Sequence, residues 1–253
     1  MKKYLVYVSV MLVSVILILV CNSFTNKKRV ISIKAVDHAG FAVVELFTSE
    51  GCSSCPPADA AIAELLSKQI KDVYILSYHV DYWNRLGWKD EFSQQGFSAR
   101  QQEYAKHLSL EGVYTPQIIV NGTAQFVGSN KSELNNAVNR AINNGYSSNI
   151  HITAKKTNNT VMVRYNITGN EPMILNTVIV LPQAVTKVKR GENGGRTLHH
   201  VNIVSNLKVA EVKGSGELTI EIPSKLTGKP LKIVAYTQAK QSFKVLGAGE
   251  ADL

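Results

Sequence analysis

Cysteine placement constrains this chain more than any other feature. There are three cysteines, and Cys21 falls in an N-terminal apolar segment, so the body of the chain holds one pair, Cys52-Ser-Ser-Cys55. That pair separates a continuous apolar run, Phe41–Thr48, from an amphipathic stretch, Pro56–Ile70. A disulfide closing so small a ring removes little entropy from the unfolded chain, so it is a poor staple. The spacing suits a bond that opens and closes. On the first turn of a helix, free N–H groups and the helix dipole favour a thiolate on the first cysteine. Cys52 is therefore expected to be an exposed nucleophile, and Cys55 the thiol that resolves its mixed disulfides. Two other readings stay open. Half of a zinc site needs further ligands, and neither a second cysteine pair nor ligand-type histidine spacing is present. An inert disulfide is the other.

The order of strand, Cys-x-x-Cys and helix is that of a thioredoxin-like redox site. Ala58, Ala61, Ile62, Leu65, Leu66 and Ile70 form an apolar stripe at helical spacing, with regular hydrogen bonding expected only after Pro56 and Pro57. Val73–Val80 reads as a second strand, completing a βαβ unit. A helical insertion is expected over Ser93–Leu108. A hairpin, Gln117–Val120 with Gln125–Val127, turns at Asn121-Gly122. Asn130 and Glu133 can cap a last helix striped by Leu134, Val138, Ala141 and Ile142. Beyond Asn143-Asn144-Gly145 the helical period disappears. Alternating segments follow at Ile150–Thr157, Val161–Thr168, Ile174–Leu181, Leu207–Val212, Leu218–Ile222 and Leu231–Thr237. The fold class expected is thus an α/β thioredoxin-like domain followed by a mainly antiparallel β-sandwich-like domain. The segments are 1–21 as signal peptide or anchor, 22–40 as linker, 41–146 as the thioredoxin-like domain and 147–253 as the β-rich domain.

Several residues are candidates for work beside the thiols. Thr115-Pro116 precedes the hairpin, where a cis-proline would pack against the dithiol; the alternative is a trans proline opening an edge strand. Glu45 is a charged group inside an apolar strand, which is expensive without a task or a partner. It is a candidate proton handler for the resolving thiol, although it lies one residue further from Cys52 than the corresponding acid of thioredoxins. His79, Asp81 and Trp83 leave the second strand at its C-terminal end, the edge where parallel sheets place binding groups. Gly191–Gly195 reads as a flexible turn, and the His199-His200 pair after it as strand or loop filler.

Lys2 and Lys3 precede an apolar run from Tyr4 to Val20, the pattern of a secretory leader or a short anchor. Cys21, directly after the run, adds lipid attachment as a third reading. Each exports the body of the chain to the cell envelope, where dithiols can be oxidised; an anchor or a lipid on Cys21 attaches it to a membrane through the N-terminus, and a cleaved leader leaves it soluble. Net charge is +9, but only Lys27-Lys28-Arg29 clusters, so nucleic-acid binding is not expected.

The stretch from Phe47 to Asp59, FTSEGCSSCPPAD, resembles the secreted, thioredoxin-like bacterial family labelled "domain of unknown function 1223". The resemblance extends through HVDYW (79–83), LGWKDEF (86–92), ARQQEYA (99–105), Tyr114–Gln117 with Asn121-Gly122, and GENGGRTLHHVN (191–202). It implies a thioredoxin-like fold with an appended β domain. Site roles carried from thioredoxins reach Cys52, Cys55, Pro116 and Glu45. The reading is an exported thiol–disulfide oxidoreductase or thiol redox protein acting on protein thiols and disulfides, with no cofactor called for. The alternatives are an envelope copper-binding protein using Cys52, Cys55 and His79, and a binding module whose dithiol is vestigial.

Overall fold

A continuous apolar strand needs cover on both faces, and the chain supplies it around β1 (Ala42–Thr48), every residue of which is buried. In the computed structural model, residues 40–145, 148–169 and 172–253 are described. The leader, the linker and Cys21 lie outside the described residues. After β1 come α1 (Pro56–Ser67), β2 (Val73–His79), α2 (Gln95–His107), β3 (Gln117–Val120), β4 (Ala124–Val127) and α3 (Lys131–Ile142). β2 runs parallel to β1 from Ala42 opposite Val73 to Thr48 opposite His79, while β3 is antiparallel to β1 on its other side. Ala42, Val44 and Leu46 pack with Ala58, Ile62 and Leu65 of α1 and with Leu134 and Val138 of α3. Val43 and Phe47 face the other way, onto Tyr78, Phe97 and Tyr104. The alternation of a strand thus divides its neighbours between two cores.

Local signals place most of these ends. Pro56 and Pro57 occupy the first helical positions, where an N–H has no partner to donate to, and the hydrogen bonding of α1 starts after them, as expected, with Ala58 and Asp59 donating to the Cys55 carbonyl. The Asn130 side chain accepts the Glu133 N–H at 3.1 Å and starts α3 as expected. The insertion is helical, with Phe97, Gln101, Tyr104 and Ala105 among its buried residues.

The second half of the chain differs from the expectation. Its strands are β5 (Asn149–Thr157), β6 (Thr160–Thr168), β7 (Met173–Lys187), β8 (Thr197–Val212), β9 (Ser215–Glu221), β10 (Lys232–Ala239) and β11 (Val245–Asp252). They do not form a separate sandwich behind a boundary at residues 146–147. Four of them extend the first sheet, giving eight strands in the order β11-β10-β7-β8-β2-β1-β3-β4. β5, β6 and β9 form a second, three-stranded sheet. The described residues fall in one compact unit. The antiparallel character expected for this half holds within both sheets, and the join to the first half is a parallel contact of β2 with β8, Ser77 opposite Ile203. The Ser77 hydroxyl donates to the Val201 carbonyl at 2.7 Å across the same join. Val161, Val163 and Ile220 from the small sheet pack on Leu175, Ile179 and Ile233 from the large one.

The β3–β4 turn is clamped by the far end of the chain. Asn121 accepts the Val43 N–H through its side chain at 2.7 Å, and its carbonyl accepts the Val245 N–H at 3.0 Å. Gly122 has φ +74°, and a Cβ there would run into the Phe243 carbonyl. Gly122→Ala is expected to cost about 2 kcal/mol or more, read as a fall of roughly 4–8 °C in Tm. Gly112→Ala, where a Cβ meets nothing within 4 Å, is the control and should melt with the wild type.

Candidate active site

Cys52 and Cys55 form a disulfide with Cα atoms 5.4 Å apart, at the entry to α1. The turn that carries them is closed by Cys52 N–H donating to the Ser49 carbonyl at 3.1 Å and Cys55 N–H donating to the Cys52 carbonyl at 3.2 Å. The Thr115–Pro116 bond is cis. The Ser54 hydroxyl, 3.3 Å from the Cys52 sulfur, donates to the Thr115 carbonyl at 3.5 Å. Trp83 Nε1 donates to Thr115 Oγ1 at 2.8 Å, and the Trp83 Cβ would lie 3.0 Å from a Cβ built on Gly51. Gly128 donates to the Pro116 carbonyl, and a side chain there would press on Ala58, Leu46 and Pro116 at 3.0–3.2 Å. Cys52, Cys55, Thr115, Pro116 and Trp83 therefore share one neighbourhood.

Cys52 is not exposed: both cysteines have 0% relative exposure. The loop between β7 and β8 lies against them. Asn193 is buried, and its amide donates to the Glu50 and Cys52 carbonyls, each at 2.9 Å. The neighbouring Glu192 carboxylate accepts the Ser53 N–H at 3.0 Å, and bonding to Ser53 holds its carboxyl below the usual range. The loop is braced from within, by Gly195 N–H on the Val188 carbonyl at 2.8 Å and by Arg196 on the Asn193 side chain at 3.1 Å. The segment expected to be a free turn is held in place, because its side chains satisfy backbone groups of the Cys-Ser-Ser-Cys turn.

Glu45 does not face the dithiol. It lies on the side of β1 opposite α1, while Leu46 and Thr48 face the helix. In a strand, a displacement of one residue turns a side chain to the other face. Arg100 Nε and Nη2 grip the Glu45 carboxylate at 2.6 and 3.0 Å, and the Tyr104 hydroxyl donates to it at 2.6 Å. The partner that a buried acid requires is this arginine, and the role is structural.

His79 and Asp81 are also engaged within the protein. Asp81 accepts the Ser98 hydroxyl at 2.5 Å. His79 is fully buried, its Nδ1 2.7 Å from Asp90 Oδ2. Asp90 also accepts the N–H groups of Glu50 and Phe92, both at 2.9 Å. Trp88 Nε1 donates to Glu50 Oε2 at 2.7 Å, and His200 Nε2 lies 3.3 Å from Glu50 Oε1. The His79 and His200 rings meet edge to face at 4.9 Å. Asp59 accepts the Thr48 hydroxyl at 3.1 Å. Burial pulls the His79 pKa down, but Asp90 outweighs it and leaves the imidazole above its usual value. Burial pushes Asp59 up to about 6, against the pull of His200, His79 and Thr48. The copper set of Cys52, Cys55 and His79 is not assembled: among the described residues, no three His, Cys, Asp or Glu side chains are arranged to hold a metal ion.

Sequence reasoning missed Glu50, Asp59, Asp90, Glu192, Asn193 and His200 as members of this site. A signal existed, since all of them fall inside the motif stretches quoted above. What was absent was any local pattern joining residues so far apart in the chain.

Two expectations follow. Asn193→Ala and Glu192→Ala should each speed reduction of the Cys52–Cys55 disulfide by dithiothreitol by about tenfold or more, because each removes a bond that holds the loop shut. Quenched alkylation and mass spectrometry give the rate, and rates equal to wild type in both variants would contradict the cover. The second concerns pH. A carboxyl raised from 3.8 to about 6 on folding binds its proton more tightly in the folded chain, so its contribution to stability is full below 3.8 and is lost as pH rises through 6. Asp59→Asn should therefore gain on wild type by up to about 3 kcal/mol between pH 4 and pH 8 in urea unfolding.

Residues 43–238 match the family model described as "Protein of unknown function (DUF1223)". A crystal structure of protein AGR_C_4864 from Agrobacterium tumefaciens is similar over 83% of this chain and 92% of that one, at 28% identity and a TM-score of 0.63. HBP35 of Porphyromonas gingivalis shares the fold at 16% identity and a TM-score of 0.58, over 85% of this chain and 76% of its own. No curated protein matches the chain. With the family model covering most of its length and the Cys-Ser-Ser-Cys turn inside the matched region, the chain belongs to the DUF1223 family.

Proposed function

We propose that this protein is an exported, thioredoxin-like thiol–disulfide oxidoreductase whose Cys52–Cys55 pair exchanges with protein thiols and disulfides. The observation that carries the reading is the disulfide at the entry to α1 with a cis-proline loop beside it. A β1–α1–β2 unit puts that entry at the C-terminal edge of parallel strands, where open α/β sheets bind ligands. Backbone N–H groups at the start of α1 favour a thiolate on Cys52 once the loop carrying Glu192 moves aside. Export rests on the N-terminal pattern of Lys2, Lys3 and the apolar run after them. The envelope is also where such a pair would meet oxidised partners.

In the forward step, a substrate thiolate attacks Cys52, the Cys52–Cys55 bond breaks, and its electron pair leaves on Cys55. A second substrate thiol then releases the substrate as a disulfide and leaves two thiols on the protein. The reverse sequence reduces a substrate disulfide. The pair is asymmetric in both directions, because Cys52 bears the mixed disulfide and Cys55 resolves it.

Single substitutions test this in cells quenched with acid and run on non-reducing gels. Cys55→Ser should accumulate mixed disulfides with envelope proteins, and Cys52→Ser should accumulate none. Equal absence of adducts in both variants would reject the oxidoreductase reading.

A further inference from the structure

Asp59 stands one helical turn beyond Cys55, its N–H donating to the Cys55 carbonyl at 3.1 Å. Residues four apart on a helix share a face, with Cβ atoms about 5–6 Å apart. The Asp59 side chain is buried, against Thr48 at the end of β1. A buried carboxylate without a cation or several donors is costly, yet the hydrogen bond recorded for this one comes from a hydroxyl.

The charges of His200, His79 and Asp90 act on it, and Glu50 pairs with His200, so the ionisable groups behind it come from several elements. His79 comes from the end of β2, Asp90 from the loop after it, Glu50 from the turn before the dithiol and His200 from β8. All four are buried. Glu50 Oε1 and His200 Nε2 face each other at 3.3 Å without forming a hydrogen bond, and His79 Nε2 and His200 Nδ1 have no hydrogen-bond partner. Native interiors rarely leave such atoms unpaired without a reason, and a redox or catalytic task is one. On the α3 side, among the described residues, the charged contacts of α1 are those of the exposed Glu64, Lys68 and Lys131.

We propose that Asp59 exchanges the proton of the Cys55 thiol, and that the His79–Asp90 and His200–Glu50 pairs behind it set its charge. The inference rests on the dithiol reading above and assigns its proton chemistry. When a substrate thiolate opens the disulfide at Cys52, the departing electron pair makes a thiolate on the buried Cys55. Protonated Asp59 gives that sulfur its proton and becomes a carboxylate. In the reverse direction, the Asp59 carboxylate takes the proton of the Cys55 thiol. The resulting thiolate attacks the Cys52 sulfur of the mixed disulfide, reforms the Cys52–Cys55 bond and expels the substrate thiolate, which is protonated from solvent. Over a full cycle the two electrons and two protons that a protein dithiol gives up appear as two thiols on this chain. The buried setting of Asp59 brings its titration close to neutral pH, where a group that both gives and takes a proton is most useful.

The test uses the full chain, reduced and then mixed with oxidised glutathione, with acid quenching and mass spectrometry to follow the adduct on Cys52 as Cys55 resolves it. In wild type the resolution rate should rise with pH through an inflection near 6. Asp59→Asn should slow resolution at neutral pH by about a hundredfold and abolish that inflection. Thr48→Val, which removes the hydroxyl favouring the carboxylate, and His79→Gln, which removes a positive neighbour, should both move the inflection to higher pH. A purely structural role would change stability and leave the inflection in place. If Asp59→Asn does not fold, Thr48→Val carries the test. A wild-type rate and inflection in Asp59→Asn, or an unmoved inflection in Thr48→Val, would overturn the proposal. So would stoichiometric metal uptake by the reduced wild type that His200→Gln abolishes. Resolution of glutathione with the expected inflection, but without trapped protein adducts on Cys55→Ser, would reject the protein-substrate reading and leave this one standing.

Discussion

A parallel strand pair that ends at β2 leaves a row of backbone donors and acceptors unpaired along its outer edge, and an open edge is a liability. In this chain β8 takes that edge, and most of the candidate site follows from the choice. With β8 beside β2, His200 reaches the Glu50 carboxylate and the edge of the His79 ring. The loop that leads into β8 then ends beside the dithiol, with Asn193 on the Cys52 carbonyl and Glu192 on the Ser53 N–H. A chain ending after α3 would keep the Cys-Ser-Ser-Cys turn and lose both the cover and the His200 member of the buried ionisable cluster.

The two faces of β1 treat buried charge in different ways. On the α2 side, Glu45 meets a two-pronged guanidinium and a tyrosine hydroxyl, geometry that offsets desolvation. On the α1 side, Asp59 has a hydroxyl partner and its pKa is pushed up to about 6. One strand therefore separates a carboxylate clamped by a guanidinium from one held by a hydroxyl. The clamped one sits with Arg100, Tyr104 and Tyr236 in the aromatic core. The other sits on the helix that the cysteines begin.

Legibility in the sequence followed the range of the interaction. β1, α1, β2, the Asn130 cap and the Asn121-Gly122 hairpin were readable because each depends on neighbours a few residues away. The cis bond at Pro116 was readable because only proline makes one cheaply. Glu45 was misplaced because a strand reverses its side-chain direction at every residue, and a shift of one position from the thioredoxin pattern moved it to the far face. β8 was seen only from Leu207 onward, although it begins at Thr197. Its first half, Thr-Leu-His-His-Val-Asn, carries polar side chains whose burial is set by β2, Glu50 and β7, which no local period reveals. The extension of one sheet across the expected domain boundary was hidden for the same reason, since strand order is a fact about distant pairings.

The acidic side chain on the Ser53 N–H also has a consequence for the order of events. While the disulfide is closed, the Glu192 carboxylate rests on an N–H at the entry to α1, and the helix dipole favours it. The Cys52 thiolate of the proposed exchange would put a second negative charge beside it, competing for the same positive end. Like charges so close repel. Under the proposed function, reduction would work against the bond that fastens the loop and oxidation would restore it: the latch is set by the lock it covers.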